Sequence, residues 1–194
     1  MADTHNPGEQ VTDWRAALRY LEDGNIRYLK NQGIARDTHH LDREILRHGQ
    51  KPFAVIITCS DSRVVPEIYF DQKLGDIFVI RNAGNIIDTS VLGSVEYAVE
   101  HLKAPLVAVV GHSHCGAVTG AMSGGGEYSE NLSAVINAIR PVVKKCGNLD
   151  EAIHANIHHV VETIQQNTVI KDMGATVIGA YYNIESGEVT FLRS

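Results

Sequence analysis

Cysteine is scarce in this chain, with 3 in 194 residues, at positions 59, 115 and 146. Three thiols cannot all pair, so a disulfide framework is excluded as the support of the fold, and a reducing compartment suits the chain better. Runs of Lys or Arg are missing, and the net charge of -6 is spread along the sequence. That leaves no basic stripe for phosphates and argues against nucleic acid as a partner. No apolar stretch approaches the roughly 18 residues that suggest a membrane span. The opening Met1 to Gln10 is polar, with Pro7 and Gly8, and reads as neither leader nor anchor. The expectation is a cytoplasmic protein without a membrane partner. Internal repeats and low-complexity tracts are also lacking. The length suits one domain with a real core, 1–194, made of an N-terminal helical arm, 1–50, and an α/β core, 51–194.

What is present is an alternation of strand and helix patterns. Trp14, Leu18, Leu21, Tyr28 and Leu29 recur at near-helical spacing, with Gly24 expected to break the helix. A short helix is predicted over Leu41 to His48. Phe53 to Thr58, Phe78 to Arg81 and Leu106 to Val110 read as strands, and Thr89 to Leu102 as a helix. Leu132 to Val143 and Ala152 to Ile164 read as further helices. Ala175 to Tyr182 and Val189 to Leu192 are strands joined by the hairpin signal Glu185-Ser186-Gly187-Glu188, and Gly124-Gly125-Gly126 reads as a flexible loop. The predicted fold is α/β: a mainly parallel central sheet with an antiparallel C-terminal edge, flanked by helices. The Trp14 and Leu18 face has no obvious strand of its own, so the N-terminal helices are expected to pack on a partner subunit.

The chemistry gathers where two buried strands stop. Cys59 closes one apolar run, and His112 and Cys115 follow another. Two thiolates and an imidazole suit zinc, and three protein ligands leave a position for water, as catalytic zinc sites do. In open parallel sheets, sites form at the carboxyl ends of the strands, where these residues fall. Asp61 and Arg63 follow Cys59 at alternate positions, which share a face in extended backbone. Asp61 can then reach the water or the metal, and Arg63 can keep it ionised and oriented. Taken alone, Cys59 would read as a buried strand cysteine and His-x-x-Cys as chance. Their order, each after a buried strand, favours ligation.

The segments Cys59-Ser60-Asp61-Ser62-Arg63, Arg81-Asn82-Ala83-Gly84-Asn85 and Gly111-His112-Ser113-His114-Cys115-Gly116 resemble the signatures of the beta-class carbonic anhydrases. The resemblance runs from about Gln50 to Gly120 and continues more loosely through the C-terminal strands. It implies reversible hydration of carbon dioxide to bicarbonate and a proton, by attack of a zinc-bound hydroxide, with one zinc per chain on Cys59, His112 and Cys115. In a closed state Asp61 is the alternative fourth ligand. It also implies catalytic roles for Asp61 and Arg63, and substrate-oxygen donors at Gln50 and the backbone N–H of Gly116. Phe78 and Tyr97 match apolar pocket positions of the plant-like subgroup, in which some such residues come from the neighbouring subunit. A homodimer or higher homo-oligomer is therefore expected. Two thiolates should leave the ion a weaker Lewis acid, so activity is expected to rise toward alkaline pH.

Other readings stand beside these. Gln50, before Lys51-Pro52, also reads as a solvated loop residue, and Phe78 and Tyr97 as ordinary core aromatics. His154 and His158 have metal spacing, but a solvated helical face accounts for them. A second subgroup carries an inhibitory bicarbonate site built from tryptophan, arginine and tyrosine. Arg81 and Tyr182 are compatible with it, but the tryptophan position is Ile56, so that regulation is expected to be weak or absent. The competing functions are a hydrolase of carbon disulfide or carbonyl sulfide on the same fold, and a noncatalytic zinc protein with Cys146 or Asp61 closing the site.

Overall fold

The two continuous apolar runs become neighbouring parallel strands, and the sheet is built outward from them. The computed structural model describes residues 5–6, 8–33, 39–124 and 127–192. Most of the loop expected at Gly124 to Gly126, and much of the polar opening, lie outside the described residues. In chain order the elements are α1 (Trp14–Leu29), α2 (His39–Leu46), β1 (Ala54–Cys59), α3 (Pro66–Tyr69), β2 (Ile77–Asn82), α4 (Thr89–Glu100) and β3 (Leu106–His112). There follow α5 (Gly116–Met122), α6 (Glu130–Val143), α7 (Leu149–Gln166), α8 (Thr168–Met173), β4 (Thr176–Tyr182) and β5 (Val189–Leu192). The strand order is β2-β1-β3-β4-β5, parallel except for β5, which pairs antiparallel with β4. This is the predicted α/β architecture, with its antiparallel edge.

Every residue of β1 and β3 is buried, because successive side chains point to opposite faces and both faces are covered. Val55, Ile57, Val107 and Val109 pack into the core beneath α4 to α8. Ala54, Ile56, Leu106, Ala108 and Val110 pack with Ala17 and Leu21 of α1 and Tyr69 and Phe70 near α3.

That second core corrects two expectations. The inner face of α1 does have strands to cover, those of its own chain, and Ala17 and Leu21 are fully buried there. The helix is pinned by Asn25, whose amide donates to the carbonyls of Tyr69 and Gly187, each at 2.9 Å, and accepts from the Val189 N–H. Arg27 adds an ion pair with Asp71 at 2.7 Å. The premise for packing on a partner, an apolar face without a strand, therefore does not hold for α1. Nor does Gly24 break the helix. It lies inside α1 because the chain end of α3 crosses there, and a Cβ would sit 1.7 Å from the Phe70 carbonyl oxygen.

Gly24 gives a prediction whose sign is informative. In an exposed helix interior, replacing glycine by alanine stabilises by up to about 1 kcal/mol. Here Gly24→Ala should destabilise by at least about 2 kcal/mol through overpacking against backbone. Urea unfolding measures it, and a rise in the midpoint would show that α1 does not dock on α3 in this way.

Candidate metal centre and active site

The register of the sheet assembles the site. Thr58 pairs with Val110, so Cys59 at the end of β1 lies beside the end of β3, where His112 is the last strand residue. The chain turns after His112 and enters α5, with Cys115 in the N-cap position. All three side chains are buried, and one ligand atom from each lies within 4.8 Å of the others. No other His, Cys, Asp or Glu of the described residues completes such a group, and Cys146, half-buried near the end of α6, is not part of it.

The donors have the character a metal ion needs. The His112 ring donates from Nδ1 to the Ser113 carbonyl at 2.9 Å, which leaves Nε2 as the acceptor nitrogen. That Nε2 is buried without a hydrogen-bond partner, a costly state for a polar atom unless something binds it. Between the sulfurs, a hydrogen bond from Cys115 pulls the Cys59 thiol well below its ordinary range, against the effect of burial. The same bond, together with burial, pushes the Cys115 thiol up. Metal binding would release the protons that these thiols carry. The Gly84 N–H also donates to Cys59 Sγ at 3.3 Å. An unpaired imidazole nitrogen beside two buried sulfurs fits zinc.

Ser113 was not picked out from the sequence, and its role is visible only in three dimensions. Its N–H donates to the Tyr182 carbonyl, its Oγ accepts from the Ile184 N–H at 2.9 Å, and its own carbonyl orients His112. The β4–β5 hairpin thereby sets the imidazole, as outer partners of metal ligands generally do.

Asp61 and Arg63 do meet, but by a turn and not by extended backbone. β1 stops at Cys59, and the Val64 N–H bonds back to the Asp61 carbonyl at 3.0 Å. Arg63 then grips the carboxylate with both arms, Nε to Oδ1 at 2.9 Å and Nη2 to Oδ2 at 2.8 Å, and its backbone N–H adds a third bond. The guanidinium holds the Asp61 carboxyl well below the usual carboxylate range. Arg81, one strand over, donates to the carbonyls of Cys59 and Asp61 at 3.1 and 2.9 Å, bracing the backbone that carries both. Gly116, directly after Cys115, opens α5, where the first N–H groups have no intrahelical acceptor.

The remaining candidates lie elsewhere in this chain. Gln50 is exposed and lines a cavity of about 570 Å³ with Leu46, Gly75 and Ile77. Ile77 pairs with Ala54 at the amino end of β1, roughly 16 Å along the strand from Cys59. Phe78 pairs with Val55 on the outer strand, and Tyr97 of α4 packs on it with ring centroids 6.3 Å apart. Tyr97 is 47% exposed. The structure therefore brings together Cys59, His112, Cys115, Asp61 and Arg63, with Gly116 alongside, and leaves Gln50, Phe78 and Tyr97 at a distance from the chain's own site. His114 points outward to Glu185, Nε2 to Oε1 at 3.3 Å, away from the ligand group. Ile56 is fully buried in the sheet, and Arg81 is engaged with backbone carbonyls.

A mainly parallel sheet with three metal-binding donors converging at its carboxyl end, and no fourth donor in the group among the described residues, has the form of an open metal centre on an α/β fold. Residues 54–189 match the family model described as carbonic anhydrase. Among curated proteins, a carbonic anhydrase of Mycolicibacterium smegmatis is 38% identical over 193 residues, covering 92% of this chain and 93% of the relative. Carbonic anhydrase 2 of Mycobacterium tuberculosis is 37% identical over 187 residues, covering 89% of each. Among solved structures, the beta-carbonic anhydrase CcaA superposes with a TM-score of 0.71 at 30% identity, covering 91% of this chain and 95% of that one. A tetrameric beta-carbonic anhydrase of Sordaria macrospora gives 0.72 at 25%, covering 92% and 98%. This chain belongs to the beta-class carbonic anhydrase family. The relatives do not favour the carbon disulfide hydrolase or the noncatalytic reading.

Proposed function

We propose that this enzyme hydrates carbon dioxide reversibly to bicarbonate and a proton, with one zinc ion held by Cys59, His112 and Cys115. The observation that carries the reading is the orphaned His112 Nε2 beside two sulfurs, with the Asp61–Arg63 pair at the mouth of the site. Zinc, when bound there, supplies the Lewis acidity that makes water a nucleophile near neutral pH.

The chain's own groups do the rest. Asp61 stays ionised across the working range, so its carboxylate accepts a hydrogen bond from the attacking water and aims a lone pair at carbon. Arg63 holds that carboxylate in place and keeps it from protonating. As negative charge grows on the substrate oxygens, the Gly116 N–H donates to one of them. Gln50 supplies a second donor, and Phe78 and Tyr97 an apolar wall, to the pocket of a neighbouring copy; their distance from this chain's own Cys59 supports that assignment. The arrangement is that of the plant-like subgroup and requires at least a homodimer. The isoleucine at 56 supports the absence of the inhibitory bicarbonate site of the other subgroup. Thiolate ligands suit a reducing, cytoplasmic setting.

Stopped-flow hydration on metal-quantified protein, from neutral to alkaline pH, tests the reading. The rate should rise with pH, and zinc should be stoichiometric with chains. Stoichiometric zinc with hydration at the buffer rate throughout would contradict it. The Arg63→Ala variant should retain its zinc and turn over more slowly. Because Arg63 depresses the Asp61 pKa, its loss lets that carboxyl return toward the ordinary value of about 4. On a profile extended down to about pH 4 the acid limb should therefore move upward, and an unchanged acid limb there would count against the coupling.

A further inference from the structure

The inner face of α7 is apolar except at one position. Ala152, Ile153, Ile157, Val160 and Ile164 are buried against the sheet, and among them Asn156 is 2% exposed. An asparagine is a mediocre helix former, and burying its amide is costly unless the amide is hydrogen-bonded. Its Nδ2 donates to the Gly84 carbonyl at 3.0 Å. Gly84 is in the left-handed region, with φ 72° and ψ 19°. It is also hemmed in, since a Cβ would lie 2.6 Å from Ile139 Cδ1 and 2.9 Å from the Ala117 Cβ. From that locked position its N–H points at Cys59 Sγ.

We propose that Asn156 is a positioning residue for the metal-binding sulfur of Cys59, acting through Gly84. The carbonyl of Gly84 is held from one side by α7, so its amide stays aimed at the sulfur on the other. A backbone N–H bonded to a thiolate fixes the sulfur and draws electron density from it. A metal on that sulfur then sees a weaker donor in a defined place, as expected when outer partners tune ligands. The route runs from α7 through the turn after β2 to the end of β1, and no linear motif joins Asn156 to Cys59.

This inference rests on the zinc assignment above, and the test separates the two. Asn156→Leu keeps the size of the side chain and removes its donor. Zinc affinity is measured by competition with a chromophoric chelator, and the cobalt(II)-substituted protein reports the sulfur-to-metal charge-transfer band. The variant should bind zinc about tenfold to a hundredfold more weakly, and its band should move to longer wavelength as the sulfur becomes the stronger donor. Ile164→Val, about two turns along the same buried face, should lower the melting temperature and move neither readout. Should Asn156→Leu fail to fold, Asn156→Ala carries the same expectation. Affinity and band equal to the parent's, or equal changes in Ile164→Val, would overturn the proposal. A parent protein that binds no zinc would instead sink the metal assignment itself.

Discussion

Cys115→Ser protein is expected to fold and to hydrate carbon dioxide no faster than buffer. The substitution changes one atom at a position that is 1% exposed, so packing is nearly conserved. What it removes is a soft ligand, and an alcohol does not replace a thiolate on zinc near neutral pH. Loss of partners behind a ligand costs tenfold to a hundredfold in affinity, so losing the ligand itself should cost more than about a hundredfold. Circular dichroism checks the fold, chelator competition the metal, and stopped flow the rate. Parental activity in Cys115→Ser would remove Cys115 from the ligand set.

Asp61→Asn should separate holding the metal from using it. Asp61 lies outside the group of three ligand atoms and is paired with Arg63, so the variant should keep its zinc. Its hydration rate should fall on the order of a hundredfold, the low end of the range for losing a positioned acid or base. The amide keeps the shape of the carboxylate but not its charge, and it leaves the Arg63 guanidinium without its partner. Two outcomes are diagnostic. A rate within a few-fold of the parent would make the pair a structural ion pair only, and loss of zinc in Asp61→Asn would make Asp61 a resting ligand.

The grouping of Cys59, His112 and Cys115 was legible because each follows a run that is apolar throughout, and such buried strands identify themselves. β1 and β3 are buried on both faces, so their ends, and hence Cys59 and His112, could be placed from composition alone. The short helices α3, α5 and α8 were not anticipated. They have 4, 7 and 6 residues, too few for a periodic pattern, and α5 carries two glycines. Gly24 misled because its propensity argues for a break, whereas the reason for glycine there is the Phe70 carbonyl, 46 positions later. The same limit hid Ser113 and Asn156. Their hydrogen-bond partners lie 71 and 72 positions away, and a lone polar residue in an apolar helix carries no sign of what it faces. The pairing of Asp61 with Arg63 was expected for the wrong geometric reason, since a turn and not a strand brings them together.

The account rests on one ion per chain at Cys59, His112 and Cys115, with room left for water. Zinc titrated into chelator-stripped protein, with hydration followed by stopped flow, tests this most directly. Activity should be absent at the start, rise in proportion to zinc, and break at one equivalent per chain. Hydration by the metal-free protein, or a site filled to one equivalent that stays inactive at every pH, would contradict it.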